Sequence, residues 1–121
     1  MPKEPFAVNR IKSVGYAFKG LFVLLKTESS IKIQFAIAVI MTAVGFYFDI
    51  SNTEWALQFI CIGMVMGIEG VNTAVEKLAD FVQPGFDEKI GWIKDVSAGA
   101  VMAASLISVI VGCLIYIPKV F

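Results

Sequence analysis

Three long apolar stretches, over 31–48, 55–82 and 96–117, constrain this chain more than any other feature. A membrane-crossing helix needs about 20 mostly apolar residues at a rise of about 1.5 Å each. The first and third stretches meet that requirement directly. The second is apolar to Ile68 and mixed beyond it, which reads as one long helix whose second half carries function. With 121 residues, 58% of them hydrophobic, the chain could not hide so much apolar surface in one soluble core, because small domains bury a smaller fraction of their surface. The expected class is therefore all-α and integral to a membrane, with the whole of 1–121 as one membrane-embedded domain.

Ahead of the first stretch, residues 6–27 have the pattern of an amphipathic helix. At about 100° per residue, Ile11, Val14, Phe18, Leu21, Phe22 and Leu25 fall on one face. Arg10, Lys12, Ser13, Tyr16 and Lys19 occupy the flanks and back, so the helix would lie in the interface with its basic residues near lipid headgroups. The first 30 residues carry Lys and Arg throughout and no compact apolar run, so no signal peptide is expected.

Lys and Arg in the flanks set the expected orientation. Lys3, Arg10, Lys12, Lys19, Lys26 and Lys32 precede or open the first span, the connection from Asp49 to Glu54 has none, and Lys77, Lys89 and Lys94 surround the second connection. Only Lys119 follows the third span. The N-terminus and the second loop are expected in the cytoplasm, the first loop and the C-terminus outside.

Composition also excludes. Ten basic and ten acidic residues cancel, so nucleic acid is not an expected partner. The chain has no histidine, which removes histidine metal sites and Ser-His-Asp or Cys-His catalysis. Cys61 and Cys113 each lie in an apolar run and read as small buried hydrophobes.

The segment from Glu69 to Asp80 is the most informative. On a helix, Glu76 and Asp80 lie within about 20° of Glu69, and Asn72 about 60° away. Three carboxylates and an amide share one stripe at the edge of hydrocarbon, where ionisable residues point to function. Like charges so close need cations or protons to balance them. Mg²⁺ fits, since it prefers carboxylate, water and phosphate oxygens.

The third span opens with Lys94 and Asp95, followed by the small residues Ala98, Gly99 and Ala100, which permit close helix packing. Lys94 could neutralise Glu76 or Asp80, or hold a phosphate. Between the spans, Pro84 and Gly85 break the helix. Gly63 to Gly67 matches a small-xxx-small packing pattern. Gly15 to Gly20 has the spacing of a phosphate loop, yet Leu21 and Phe22 stand where Lys and Ser or Thr would be required. Any nucleotide site must come from helix ends and loops.

These residues resemble the prokaryotic diacylglycerol kinase family, which includes undecaprenol kinases. The resemblance runs through Arg10, Ile11, Gly15, Tyr16, Lys19 and Gly20 in the first helix, and through Glu28. It continues through Glu69, Asn72, Thr73, Ala74 and Glu76 in the second span, and Lys94, Asp95, Ala98, Gly99, Ala100 and Val101 in the third. It implies an N-terminal surface helix, three membrane helices and a homotrimer in the bacterial cytoplasmic membrane, with active sites shared between subunits. It implies ATP- and Mg²⁺-dependent phosphorylation of the primary hydroxyl of a lipid alcohol, either diacylglycerol or undecaprenol.

By the same resemblance Glu69 is the catalytic base, Glu28 and Glu76 bind Mg²⁺, and Asn72 supports that geometry. Lys94 and Asp95 contact the nucleotide, with Arg10, Tyr16 and the turn of Gly85, Phe86 and Asp87 nearby. Arg10, Glu69 and Ala98 lie on the lipid side. Asp87 stands where family members often have histidine. Ser30, Lys32 and Gln34 replace a frequent Asn-x-Arg-x-His, and Gly70 replaces an alanine or larger apolar residue. Two other readings of the stripe are a non-catalytic small membrane subunit, with the polar residues joining helices, and a cation or proton carrier.

Overall fold

The computed structural model describes residues 5–121, which form four α-helices: α1 (Phe6–Thr27), α2 (Ser29–Phe48), α3 (Asn52–Val82) and α4 (Glu88–Val120). Lys3, counted above for orientation, lies outside the described residues. Helices α2, α3 and α4 are each long and apolar enough to cross a membrane.

The helix ends follow from local chemistry. Helix α1 starts directly after Pro5, which is tolerated there because it has no N–H to leave unpaired. A single extended residue, Glu28, separates α1 from α2. Its N–H donates to the Leu24 carbonyl and its carbonyl accepts from the Lys32 N–H, both at 3.0 Å. The backbone of Glu28 is thus held from both helices.

Helix α2 ends in Asp49, whose φ of 49° places it in the left-handed region that Asp tolerates. Asp49 N–H bonds the Phe46 carbonyl and Ile50 N–H the Gly45 carbonyl, both at 3.2 Å, which is the Schellman pattern of helix termination. The chain turns tightly here, and Trp55 folds over Gly45. A β-carbon at Gly45 would stand 2.6 Å from Trp55 Cη2, so only glycine fits without displacing the ring.

Helix α2 begins two residues before its apolar stretch and α4 runs three residues past its own, to Val120, and two helix starts differ for a reason in local chemistry. Helix α3 begins at Asn52 rather than near Trp55, because Ser51 and Glu54 form a capping box. Ser51 Oγ accepts from Glu54 N–H at 3.1 Å, and Ser51 N–H donates to Glu54 Oε1 at 2.9 Å. Helix α4 begins at Glu88, about two turns before the apolar stretch at 96, because Asp87 caps it. Asp87 Oδ1 accepts from the N–H groups of Lys89 at 2.9 Å and Ile90 at 3.1 Å. Apolar pattern locates the part of a helix inside hydrocarbon, whereas capping locates its end.

Helices α3 and α4 form the most extensive pair, and α2 packs on α3. Three polar contacts hold α3 and α4 in one antiparallel register. Lys119 Nζ donates to Glu54 Oε2 at 3.0 Å, Tyr116 donates its hydroxyl to Gln58 Oε1, and Lys94 donates to Asp80 Oδ1. Along α3 the outer two clasps lie about 39 Å apart, more than the hydrocarbon thickness of about 30 Å. They therefore bracket the apolar zone. Gln58 is buried within it and spends both ends of its amide, donating also to the Met41 carbonyl at 3.0 Å. That one side chain ties all three spans.

Few side chains are enclosed. Ile31, Ile50, Val65, Ala79, Ala104 and Ile115 are buried, while α1 has no buried residue. The apolar surface left open on α2, α3 and α4 suits contact with lipid or with further copies of the chain, not water. Helix α1 approaches α3 at one point, where a β-carbon on Gly70 would stand 3.1 Å from Leu24 Cδ1.

Candidate functional site

Helix α3 carries its polar stripe toward the end at which Asp80 meets Lys94. Glu69 lies about 16 Å along the helix from Asp80, well inside the apolar zone, and Glu76 only about 6 Å from it. Glu69 is 8% exposed, and among the described residues no hydrogen bond or ion pair reaches its carboxylate. Among the described residues no lysine forms an ion pair with it. Thr73, one turn on, is also buried.

Between the two glutamates, Asn72 Nδ2 donates to Glu76 Oε1 at 3.2 Å. Asn72 Oδ1 is buried and, among the described residues, the one buried side-chain polar atom without a hydrogen-bond partner. Reversing the amide would face two oxygens and bury two N–H donors, so the orientation is the favourable one. A buried amide oxygen without a donor is costly unless something absent from a single chain meets it.

The hinge residue Glu28 comes to the same region. Its Oε1 lies 3.9 Å from Lys77 Nζ, which places the α1–α2 junction beside the turn of α3 that bears Glu76 and Lys77. The sequence counted Lys77 only for orientation. Its contact joins residues too far apart in the chain for spacing to reveal. Among the described residues no group of three or more Asp, Glu, Cys or His side chains gathers as a ready metal cage.

The other expected positions divide. Lys94, half-exposed, pairs with Asp80, and Asp95 beside it is exposed. Ala98 is exposed one turn further along α4. Gly85 and Phe86 lie in the connection between α3 and α4, with Phe86 projecting fully. Asp87 is the α4 cap, so this carboxylate has a structural task that a nucleotide-loop reading did not include. Arg10 and Tyr16 are exposed on α1; Arg10 stacks over the Phe6 ring at 5.2 Å. No hydrogen bond or ion pair among the described residues joins either one to α3 or α4. Within one chain, then, Glu69, Asn72 and Glu76 are assembled, Glu28 is brought near, and Arg10 and Tyr16 stay apart.

Cys61 is half-buried and Cys113 exposed on α4, so Cys113 is not the buried thiol that its apolar run suggested. A groove of about 660 Å³ runs below α1, lined by Leu21, Leu24, Ile31, Gly67, Gly70 and neighbouring apolar residues. Its wall at Gly70 adjoins Glu69 in the chain.

Residues 15–116 match the family model described as prokaryotic diacylglycerol kinase. The chain is 34% identical over 113 residues to an undecaprenol kinase of Bacillus subtilis, covering 93% of this chain and 92% of that one. It is 26% identical over 105 residues to a diacylglycerol kinase of Escherichia coli K12, covering 87% and 86% respectively. It is 26% identical over 117 residues to a diacylglycerol kinase of Haemophilus influenzae, covering 96% and 99%.

Proposed function

Because the chain belongs to the prokaryotic diacylglycerol kinase family, we propose that it is a lipid kinase that moves the γ-phosphoryl group of ATP to the primary hydroxyl of diacylglycerol or undecaprenol. The observation that carries the reading is the depth order on one face of α3. A buried, uncompensated Glu69 lies about 10 Å deeper than an exposed Glu76 held by Asn72. A lipid hydroxyl arrives from the bilayer side and a nucleotide from the water side, and this stripe offers each a carboxylate at its own depth.

Glu69 takes the proton of the lipid hydroxyl as that oxygen attacks. A carboxylate within hydrogen-bond reach serves as general base, and here no ammonium competes for it. The groove below α1 would hold the lipid chains, with Arg10 and Ala98 as further contacts on the lipid side. Lys94 and Asp95 hold the nucleotide, with the turn of Gly85, Phe86 and Asp87 beside them.

The donor set fits Mg²⁺. The ion prefers hard oxygens, keeps several waters, and is commonly held by one or two carboxylates plus substrate phosphates. Glu28 and Glu76 would supply those carboxylates, so a closed protein cage is not required. The unpaired Oδ1 of Asn72 is a further hard donor beside them. When bound there, Mg²⁺ would supply positive charge against the charge that develops on the transferring phosphoryl group. Phosphoryl transfer depends mainly on positioning and charge neutralisation, which suits so small a set of groups.

A homotrimer with shared sites supports the remaining assignments. Arg10 and Tyr16 are exposed and make no hydrogen bond or ion pair with the stripe among the described residues, and broad apolar faces are left uncovered. Neighbouring copies would cover those faces and could bring one chain's α1 to another's stripe. The N-terminus and the Asp80–Lys94 end are assigned to the cytoplasm, where ATP is, in the bacterial inner membrane.

The test is a lipid phosphorylation assay in bilayers with diacylglycerol and with undecaprenol side by side. ATP consumption that requires one of these lipids and yields its phosphate monoester is the expected result. ATP turnover without a phosphorylated lipid, or none with either lipid, overturns the assignment and returns the stripe to a carrier or a non-catalytic subunit.

A further inference from the structure

The lysines at this end of the molecule are distributed unevenly among the carboxylates. Lys77 lies by Glu28 and Lys94 is bonded to Asp80, while Glu76 receives only the neutral Asn72 amide. Of the two glutamates assigned above to the metal, Glu28 and Glu76, Glu76 is the one with no ion pair among the described residues.

Asp80 is badly placed for helix stability. It lies in the last turn of α3, where the macrodipole disfavours an anion and where the turn itself holds no basic residue. It also stands one turn from Glu76, a spacing at which like charges repel. Capping does not account for it either, since Gln83 closes the helix through its backbone. What Asp80 does is hold Lys94. Without it, Glu76 would be the next carboxylate on that face, about 6 Å along α3 and within the sweep of a flexible lysine.

We propose that Asp80 is a positioning residue that diverts Lys94 from Glu76 and so keeps Glu76 open to the divalent cation. This rests on the kinase reading above. The Lys94 and Asp80 side chains are 37% and 59% exposed, so their pair is weak and exchangeable. An incoming polyphosphate, with more charge and more acceptor oxygens, can take Lys94 over from Asp80. Asp80 then serves as the parking place of Lys94 in the empty enzyme, and the cation meets a free Glu76 when it arrives with the nucleotide.

The experiment measures Mn²⁺ binding by electron paramagnetic resonance, without turnover, by titrating the initially empty protein in lipid nanodiscs with the equimolar Mn²⁺ complex of β,γ-imido-ATP. Asp80→Asn is expected to weaken Mn²⁺ binding about fivefold, Asp80→Glu to restore it, and thermal stability to stay unchanged in both. In a Lys94→Gln background, Asp80→Asn is expected to cost nothing further, since no ammonium remains to be diverted. Unaltered Mn²⁺ affinity in Asp80→Asn overturns the proposal. So does a loss that persists in the Lys94→Gln background, which would mark a direct field effect of the carboxylate on the cation. So does a loss that Asp80→Glu fails to rescue and that a fall in thermal stability accompanies. If the unsubstituted protein takes up no Mn²⁺ with the nucleotide, the metal-site reading itself fails, a result separate from any effect of Asp80.

Discussion

Asn72 gives its amide N–H to Glu76 one helical turn away, at 3.2 Å, and in doing so turns its own oxygen into a buried position that no donor of the same chain fills. The pair is local to α3, yet its unmet half points to a ligand or another subunit. Asn72→Leu is therefore expected to keep the membrane fold while lowering apparent Mg²⁺ affinity about 10- to 100-fold, the usual cost of removing a group that orients a metal ligand. Titrating activity against Mg²⁺ measures it. Activity that falls equally at all Mg²⁺ concentrations would assign Asn72 to another role.

At the opposite end of α3, Gly45 lies under the Trp55 ring with no room for a β-carbon. Gly45→Ala is expected to destabilise the protein by about 1–3 kcal/mol, as overpacking does, and to leave the Mg²⁺ dependence of turnover unmoved. Thermal unfolding in detergent micelles reads the first effect. An unchanged unfolding temperature would mean that the α2–α3 turn yields more readily than its aromatic packing implies.

What the sequence made legible, and what it did not, follows from the range of the interactions involved. The three spans and the amphipathic α1 were readable because hydrophobic period and length are local properties. The stripe of Glu69, Asn72 and Glu76 was readable because a helix fixes its geometry within about two turns. The start of α3 was readable too, since Ser51 and Glu54 have capping-box spacing, but apolarity was followed in its place. Gln58 carried a signal as well, being the only amide in an otherwise apolar stretch. Its partners Met41 and Tyr116 were not readable, because they lie on other helices. The Lys77–Glu28 contact and the choice of Asp80 over Glu76 by Lys94 have the same tertiary origin.

On the orientation proposed from the basic residues flanking α2 and α3, the α2–α3 turn and the end of α4 would lie on the outer face. Reporter fusions at Asn52 and at Phe121 are both expected to give an extracytoplasmic signal. A cytoplasmic signal from either would reverse the assignment of the Asp80–Lys94 end to the side where ATP is found.

Arg10 and Tyr16 are exposed on α1 and make no hydrogen bond or ion pair with α3 or α4 among the described residues, so under the proposed trimer they would serve a neighbouring chain's site. If sites combine the α1 of one chain with the stripe of another, a mixture of Arg10→Ala and Glu69→Gln proteins can assemble sites that contain neither substitution. Partial recovery of activity is expected after subunit exchange, with each variant inactive alone. A mixture that stays inactive, with exchange verified by cross-linking of tagged chains, would confine each site to one chain.

Glu69 is the sharpest test of the mechanism, because its surroundings make two opposite roles distinguishable. A carboxylate that served only to join helices would have a partner on another helix, and among the described residues Glu69, 8% exposed, has none. A carboxylate in the metal shell would lie with Glu28 and Glu76, yet Glu69 is about 10 Å deeper along α3. What remains suited to that depth is the hydroxyl of a lipid whose chains stay in the bilayer. Glu69→Gln keeps the size of the side chain and its capacity to hydrogen-bond but removes the base. Turnover is expected to fall about 10²- to 10⁴-fold, the range that a positioned general base contributes. Nucleotide affinity and the Mg²⁺ requirement should stay close to those of the unsubstituted protein. Equilibrium binding of β,γ-imido-ATP, set beside the rate of lipid phosphorylation, separates the two. Loss of nucleotide binding in step with turnover would move Glu69 into the metal and nucleotide shell and leave the lipid hydroxyl without its base.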